Sequence, residues 1–417
     1  MKARGDRLSA AGMLTELAAI GEDPQGGITR FLYDPAWRQA QQAVARMMRE
    51  AGLAVSIDAV GNVYGKLEGT DREAPSIVTG SHIDTVKCGG RYDGALGIAA
   101  GIAALAKLKR SSGQPRRTLE VVSFCEEEGS RFPLAYWGSG NVTGCKLFDG
   151  SLDAVDAQGI SLREAMAGAG YKPAAHRASR RTNIAAFVEL HIEQGEVLER
   201  EQRQIGIVDA IYGQRRYFVD IAGRSGHAGT TPMPLRADAL AAAANMIVWL
   251  RKAALEAGDG LVATVGKLEV SPGIPNVIPG NVRYSLDIRH RDEAVIEAFC
   301  AEAFQTFAAM AEKHRVTVQQ TCWLSEPPSP PMDAGLKERL ARICEASGYS
   351  HMPIGSGAGH DAGLFARTCR TAMIFVPSRD GISHSPLEYT APEDIERGAD
   401  VLTKLLYQLA YELAERV

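Results

Sequence analysis

The order of predicted strands and helices changes twice along the chain, and this change constrains the fold more than any other feature of the sequence. In the first half, residues 76–80 and 119–125 have the pattern of short buried strands, and residues 95–109 between them have helical spacing. The same alternation resumes near the end, with an apolar strand over 372–376 and a helix over 392–416. Strands that alternate with helices predict an α/β domain with a largely parallel sheet.

The middle of the chain has a different order. Six segments are predicted as strand, helix, strand, strand, helix and strand, over residues 215–222, 235–257, 261–270, 281–288, 293–313 and 315–322. This is the order of a split βαβ, or ferredoxin-like, arrangement. A proline-dense linker follows at 326–332. We therefore predict a discontinuous α/β domain of residues 1–212 and 328–417, into which a smaller α+β domain of residues 213–327 is inserted.

Charge and composition limit the partners. The 417 residues carry 46 Lys and Arg against 50 Asp and Glu, without long basic runs, so neither nucleic acid nor a membrane surface is predicted as a partner. Apolar stretches such as 98–106 are shorter than the roughly 18 residues of a membrane span, and the N-terminus lacks an apolar signal segment. The seven cysteines are scattered without a C-x-x-C pair, as in reduced cytoplasmic proteins.

Side chains that can bind metals follow the predicted strands. His82, Asp93, the acidic run 126–128, His191 and His384 all come at or shortly after a strand end. Open α/β sheets bind ligands beyond the carboxyl ends of their strands, so we expect these groups to meet. Imidazole and carboxylate without thiolate suit Zn²⁺ or Mn²⁺, and this number of ligands suits two ions that share a carboxylate.

Other interpretations explain these residues less well. A single histidine at a strand end is more often a hydrogen-bonded core residue, and an acidic run is often a solvated turn, but several together favour a metal site. The sequence has no G-x-S-x-G nucleophile motif. The glycine-rich segment 355–359 lacks the spacing and the lysine of a phosphate-binding loop.

Eight segments together resemble one family across almost the whole chain. They are GSHIDTV, GGRYDGALG, EEEGSRF, ELHIEQG, GHAGTTPM, NVIPG, SGAGHDA and GISHS. In these motifs the chain resembles the dinuclear metal amidohydrolases of the hydantoinase/carbamoylase branch of the aminoacylase/carboxypeptidase clan. The resemblance implies metal-dependent hydrolysis of the ureido C–N bond of a small ureido acid, by a discontinuous catalytic domain and an inserted lid.

The resemblance also implies residue roles in the catalytic domain. One divalent ion, Mn²⁺ or Zn²⁺, would be held by His82 and His191, a second by Glu128 and His384, and Asp93 would bridge them. Glu127 would be the general base, and Asp84 would orient His82. The substrate contacts that match the family in this domain are Gln194, Gly359 and His360.

The inserted domain would serve as lid and dimerisation domain, so that a homodimer is expected through residues 213–327. His227 would reach the active site of the other subunit and stabilise the developing oxyanion. Asn276 and Arg289 would bind the substrate carboxylate, for which a bidentate arginine is well suited. Arg216 has two interpretations, as an additional cation for a substrate with two ureido arms or as a structural strand residue.

The substrate is less tightly constrained than the reaction. Segments 28–33, 135–138, 213–217 and 373–378 resemble allantoate amidohydrolases, which implies hydrolysis of allantoate to ureidoglycine, ammonia and CO₂. The alternatives are an N-carbamoyl-L-amino acid hydrolase or a 3-ureidopropionase, and then a peptidase or deacylase of the same clan. A non-catalytic two-lobed binding protein is disfavoured by the complete set of metal-site residues.

Overall fold

The computed structural model describes residues 8–146, 148 and 150–412. These residues form two compact units. The first comprises the described parts of Met1–Asp209 and Pro330–Val417, and the second comprises Ala210–Ser329. The catalytic and lid roles assigned to the two parts of the chain stay predictions.

The helices and strands are numbered in chain order. The helices are α1 Ala10–Ala18, α2 Pro35–Glu50, α3 Ala95–Ser112, α4 Trp137–Thr143, α5 Leu162–Gly168, α6 Val197–Arg200, α7 Ala239–Ala257, α8 Glu293–His314, α9 Ala334–Ser347, α10 Asp361–Phe365 and α11 Pro392–Ala410. The strands are β1 Ala54–Ile57, β2 Val63–Leu67, β3 Ser76–His82, β4 Leu119–Phe124, β5 Ile184–Ile192, β6 Ile205–Ile211, β7 Gly213–Ala222, β8 Gly226–His227, β9 Val262–Thr264, β10 Leu268–Ser271, β11 Val277–Ile278, β12 Asn281–His290, β13 Thr317–Glu326, β14 His351–Ser356 and β15 Arg370–Val376.

An eight-stranded sheet with the order β1-β2-β4-β3-β5-β15-β6-β14 forms the centre of the first unit. The prediction of a largely parallel sheet is correct for its centre, where β4, β3, β5 and β15 are parallel neighbours. It is wrong for the flanks, because β2 is antiparallel to β4 and β6 is antiparallel to β15. The four parallel strands end at the same edge, which is where the predicted metal-site residues lie.

Local sequence signals explain where several helices begin. Asp34 accepts a hydrogen bond from the backbone N–H of Trp37 at the start of α2, where Pro35 takes the first helical position. Asp238, Asp292 and Asp333 cap α7, α8 and α9 in the same way.

Trp37 and Trp137 are completely buried, and each indole N–H donates to an oxygen in the core of the first unit.

The second unit contains an antiparallel sheet with the order β10-β12-β7-β13, and β9 also pairs with β12. Alternate residues of β12 are buried, among them Tyr284 and Ile288, whereas Arg283 and Asp287 lie on the other face. The predicted single strand over 261–270 is wrong, because β9 and β10 are separate. Between them, the Ser285 hydroxyl accepts the Lys267 N–H at 3.0 Å in place of a backbone carbonyl.

Two further sequence expectations need adjustment. The strand predicted to end at residue 80 continues to His82. The last helix, predicted over 392–416, ends at Ala410 with Tyr411 as its C-cap, and residues 413–416 of the prediction lie outside the described residues. Among the described helices, α8 is long and apolar enough to cross a membrane by length and composition alone. Its buried side chains, including Ile296, Phe299 and Phe307, belong to the apolar core of the second unit.

Candidate metal and catalytic site

The candidate site lies at the edge where the parallel strands of the first unit end. His82 is the last residue of β3 and is paired in register with Phe124, just before the acidic run 126–128. His191 is next to last in β5 and is paired with Phe375 of β15, the strand that precedes the loop with His384. His82 and His191 therefore lie within buried apolar strands, and the other predicted metal ligands, Asp93, Glu128 and His384, lie in the segments that follow β3, β4 and β15.

Asp93 lies at the centre of the histidines. Its Oδ1 is 3.3 Å from His82 Nε2 and 3.2 Å from His191 Nε2. Its Oδ2 is 3.3 Å from His384 Nε2, which in turn is 3.4 Å from Glu128 Oε1. The two oxygens of one carboxylate thus face two different sets of ligands, as a bridging carboxylate requires.

The residue after Asp93 must be a glycine for two reasons. Gly94 has a φ of 63°, which disfavours other residues, and a Cβ at this position would overlap the ring of His82. Without a side chain, residue 94 lets Asp93 approach both β3 and the first turn of α3.

The second ring nitrogens of two histidines have fixed partners. His191 Nδ1 is 2.9 Å from the carbonyl oxygen of Ile192. His82 Nδ1 is 3.1 Å from the carbonyl oxygen of Asp84 and 3.4 Å from its carboxylate. Such contacts hold the rings with Nε2 toward Asp93, which is the orientation that metal-binding histidines use.

Asp84 also connects His82 to the acidic run 126–128. Its two carboxylate oxygens accept the backbone N–H groups of Glu127 and Glu128, at 3.0 and 3.1 Å. The carboxylate that faces His82 thereby fixes the backbone on which the predicted base and a predicted metal ligand lie.

The three acids of the run differ in their surroundings. Glu126 accepts backbone N–H bonds from Trp137 at 3.0 Å and from Gly129, so it stabilises the loop that follows. Glu127 and Glu128 each have an oxygen within reach of a common ion with His82. Burial, together with the nearby Glu128 carboxylate, raises the pKa of Glu127 well above its usual range, although His82 opposes this shift.

The site concentrates negative charge in a buried environment. Burial, together with the Asp93 carboxylate, raises the pKa of Glu128 to about 7. Burial would raise the pKa of Asp93 too, but hydrogen bonds with His191, His384 and His82 hold it well below its usual range. The hydrogen bond to Asp93 raises the pKa of His384 to about 9. Asp93 and His384 therefore favour each other's charged forms.

The residues predicted as substrate contacts in this unit surround the same cluster. Gln194 has a left-handed backbone, with φ 60°, and its Nε2 donates to Asp93 Oδ2 at 2.8 Å. His360 is buried behind His191, with ring centroids 4.5 Å apart, and burial lowers its pKa well below the usual range. Gly359 adjoins Glu127, since a Cβ at this position would lie 3.7 Å from Glu127 Oε1.

The second unit brings its predicted residues together in two pairs. His227 on β8 is paired with Val277, and the carbonyl oxygen of the neighbouring Asn276 accepts the Ala228 N–H at 2.9 Å; both predicted side chains are exposed. On the open face of the larger sheet, Arg216 and Arg289 share the carboxylate of Asp287. Arg216 Nε is 2.8 Å from Oδ2, and Arg289 donates to both oxygens at 2.8 and 2.9 Å.

Several residues that support the site were not predicted from the sequence. Glu388 accepts the backbone N–H groups of Tyr92 and Asp93 at 2.8 and 3.1 Å, and the Ser383 hydroxyl at 2.9 Å. Ser383 also lies 3.1 Å from Asp93 Oδ2. No local pattern indicates this role, because Glu388 lies in a loop and reaches Asp93 only through the fold. Tyr136 is another residue that was not predicted, and its hydroxyl lies where a side chain at residue 359 would be.

These residues fit divalent ions by geometry and by chemistry. Ligand atoms of His82, Asp93 and His191 lie within 4.8 Å of one another, and so do those of Asp93, Glu128 and His384. The two groups share only Asp93, through its two oxygens. Imidazole nitrogen and carboxylate oxygen donors of this kind suit Zn²⁺ and Mn²⁺.

Comparison with known proteins identifies the family of this chain. The model of the Peptidase family M20/M25/M40 matches residues 78–408. The chain is 45% identical to allantoate amidohydrolase of Bacillus subtilis (strain 168), over 97% of this chain and 99% of that protein. It is 40% identical to N-carbamoyl-L-amino acid amidohydrolase of Geobacillus stearothermophilus, over 95% and 97%.

A solved structure supports the same conclusion. The hydantoinase/carbamoylase family amidase of Burkholderia multivorans has 36% sequence identity and a TM-score of 0.91, with 98% of each chain covered. The resemblance read from the sequence motifs is thereby confirmed, and the chain belongs to the peptidase family M20/M25/M40.

Proposed function

We propose that this protein hydrolyses the ureido C–N bond of allantoate, with release of ureidoglycine, ammonia and CO₂, and that it uses two divalent ions, Mn²⁺ or Zn²⁺. The relatives above make the protein a hydrolase of linear amide C–N bonds. The observation that carries the metal part of the proposal is the position of Asp93, whose two oxygens face separate groups of imidazole and carboxylate ligands.

The proposed ligands divide between two positions. His82 and His191 would hold one ion, Glu128 and His384 the other, and Asp93 would contact both. When bound, the cations would polarise the ureido carbonyl and make hydroxide available near neutral pH. The carbonyl oxygen of Ile192 and Asp84 keep two of the imidazoles oriented for this task.

Glu127 is the proposed general base. It would accept a proton from the attacking water and deliver it to the leaving nitrogen, so that ammonia departs. Two features support this role. Its backbone is fixed by Asp84, and burial in an acidic environment raises its pKa, so that its carboxyl group retains a proton more readily than an exposed glutamate does.

Substrate binding is assigned to both units. Arg289 and Asn276 would bind the substrate carboxylate, with Gln194, Gly359 and His360 as further contacts, and His227 would stabilise the oxyanion from the other subunit of a homodimer. Support for a ferredoxin-like lid comes from the strand order β10-β12-β7-β13 and from two helices, α7 and α8, that pack on that sheet.

The choice between allantoate and N-carbamoyl-L-amino acids depends on Arg216. It shares Asp287 with Arg289, so two guanidinium groups lie on one patch of the open sheet face. Allantoate has two ureido arms and can use a second cation, whereas an N-carbamoyl amino acid needs only one arginine for its carboxylate. Hydrolysis of N-carbamoyl-L-amino acids is the second candidate, favoured by the Geobacillus relative. We also propose a cytoplasmic location, in line with seven free cysteines.

The function is tested by ammonia release from allantoate, N-carbamoyl-L-amino acids and 3-ureidopropionate, with Mn²⁺, with Zn²⁺ and after chelation. We expect metal-dependent activity, with allantoate preferred. Glu127→Gln should lose at least about 100-fold in kcat, the usual range for a general base. Glu201→Gln, at an exposed position, is the matched control. Full activity of Glu127→Gln in the metal-loaded protein would refute the proposed base.

A further inference from the structure

The side chain of Tyr136 reaches the space next to the proposed base. A Cβ on residue 359 would overlap Tyr136 Oη and would lie 3.7 Å from Glu127 Oε1. The φ angle of Gly359 does not require glycine, so the absence of a side chain serves to leave room. The phenol oxygen of Tyr136 and the carboxylate of Glu127 therefore border the same small volume.

The backbone of Tyr136 is held in a conformation that this side chain disfavours. Its φ and ψ are 67° and 31°, in the left-handed region, which costs a non-glycine residue about 1–2 kcal/mol. Hydrogen bonds on both sides maintain it, because Tyr136 N–H donates to the Glu127 carbonyl at 3.1 Å and Trp137 N–H donates to Glu126 at 3.0 Å. Strain of this kind, fixed by neighbouring bonds, is concentrated at functional sites.

The ring of Tyr136 is also fixed on its face. Lys146 Nζ lies 4.6 Å from the ring centroid, within the range of a cation–π contact. Tyr136 itself is only partly buried, in contrast to the fully buried Trp137 that follows it. The ring is thus oriented by its neighbours, and Tyr136 as a whole is not fully enclosed.

We infer that Tyr136 contacts the substrate and selects for an unsubstituted ureido –NH₂ group. The inference rests on the proposed function, in which Glu127 delivers a proton to the leaving nitrogen. That nitrogen must come within about 3 Å of the Glu127 carboxylate, beside Tyr136 Oη. The phenol oxygen can then accept a hydrogen bond from its N–H. A formyl or acyl compound bound in the same orientation has hydrogen or carbon in place of the –NH₂ group, so it has no N–H at this position and cannot make this bond.

A pair of compounds isolates this contact. The first is the N-carbamoyl-L-amino acid that the protein turns over fastest, and the second is the N-formyl compound of the same amino acid, which has hydrogen in place of –NH₂. In Tyr136→Phe, which loses only the phenol oxygen, we expect kcat/KM for the ureido compound to fall about three- to tenfold, the effect of one hydrogen bond. The formyl compound is used as an inhibitor of ureido hydrolysis, and its inhibition constant should stay within about twofold.

Control variants separate this role from a structural one. Tyr411→Phe also removes one hydroxyl, which donates to the Gly113 carbonyl. It should change neither kcat/KM for the ureido compound nor the inhibition constant of the formyl compound. Gly359→Ala, which displaces the phenol, should reproduce the loss of preference. Equal losses for both compounds, or no loss for either, would overturn the inference. A wild-type protein loaded with metal that turns over no ureido compound would instead refute the proposed function.

Discussion

Removal of the Glu388 side chain should displace Asp93, because the Glu388 carboxylate accepts a hydrogen bond from the backbone N–H of Asp93. Glu388 is buried, and its Oε1 accepts two backbone N–H groups, those of Tyr92 and Asp93. Its Oε2 takes the Ser383 hydroxyl, which also lies against Asp93. The preceding segment is shaped to this side chain, since a Cβ at Gly90 would overlap the carboxylate.

The size of the effect follows from these contacts. Glu388→Ala leaves two buried N–H groups without a protein acceptor, and each costs about 1–3 kcal/mol. We therefore expect a loss of about 2–6 kcal/mol in the free energy of unfolding of the metal-free protein. Loss of an outer contact of a metal ligand usually weakens metal binding about 10- to 100-fold, and we expect this for Mn²⁺. Glu388→Gln keeps an oxygen for the two N–H groups and should lose much less.

Urea unfolding of the metal-free protein and calorimetric titration with Mn²⁺ measure the two effects. Glu396→Ala, at an exposed position on α11, the helix that follows Glu388, is the matched control. If Glu388→Ala changes the free energy of unfolding by less than about 0.5 kcal/mol, as an ordinary surface substitution does, the positioning role is refuted. A normal Mn²⁺ affinity would equally contradict it.

Three further predictions follow from the site. The pKa of His384 in the metal-free protein is about 9, so a proton competes with the ion, and apparent Mn²⁺ affinity in calorimetry should fall as the pH is lowered from 9 to 7. The raised pKa also affects stability. Protonated His384 stabilises the metal-free protein fully below pH 6.5, the approximate pKa of histidine in the unfolded chain, and this stabilisation is lost as the pH rises through about 9. A Mn²⁺ affinity independent of pH would contradict the raised pKa on which both effects depend. Asp84→Asn should lower Mn²⁺ affinity or kcat about 10- to 100-fold with little change in the circular dichroism spectrum, whereas an unchanged affinity together with an unchanged kcat would exclude an orienting role. Arg216→Ala should reduce kcat/KM for allantoate more than for an N-carbamoyl-L-amino acid, and equal losses for the two substrates would make Arg216 a structural residue.

Residues tied to regular secondary structure were the most predictable. His82 and His191 could be placed at one edge because each follows an apolar strand, and parallel strands bring their ends together. The direction of the flanking strands could not be derived, because buried parallel and antiparallel strands have similar apolar patterns. Nor could the interruption between β9 and β10, where the Lys267 N–H bonds the side chain of Ser285 on the partner strand.

Residues that act through tertiary contacts were not predictable from local pattern. Glu388 is one more acid in a loop until the fold brings the backbone of Asp93 against it. Tyr136 has an aromatic side chain of the kind found in cores. Its position next to Glu127 depends on its left-handed backbone and on the space beside Gly359, neither of which the local sequence shows. The family resemblance supplied roles for His227 and Arg289 that their local sequence does not indicate.

The most direct test of the central claim is the anomalous scattering of a crystal of the protein grown with Mn²⁺. We expect two peaks per chain, one among His82, His191 and Asp93 Oδ1, the other among His384, Glu128 and Asp93 Oδ2. A single peak, or two peaks that do not share Asp93, would contradict the dinuclear site on which the proposed hydrolysis depends.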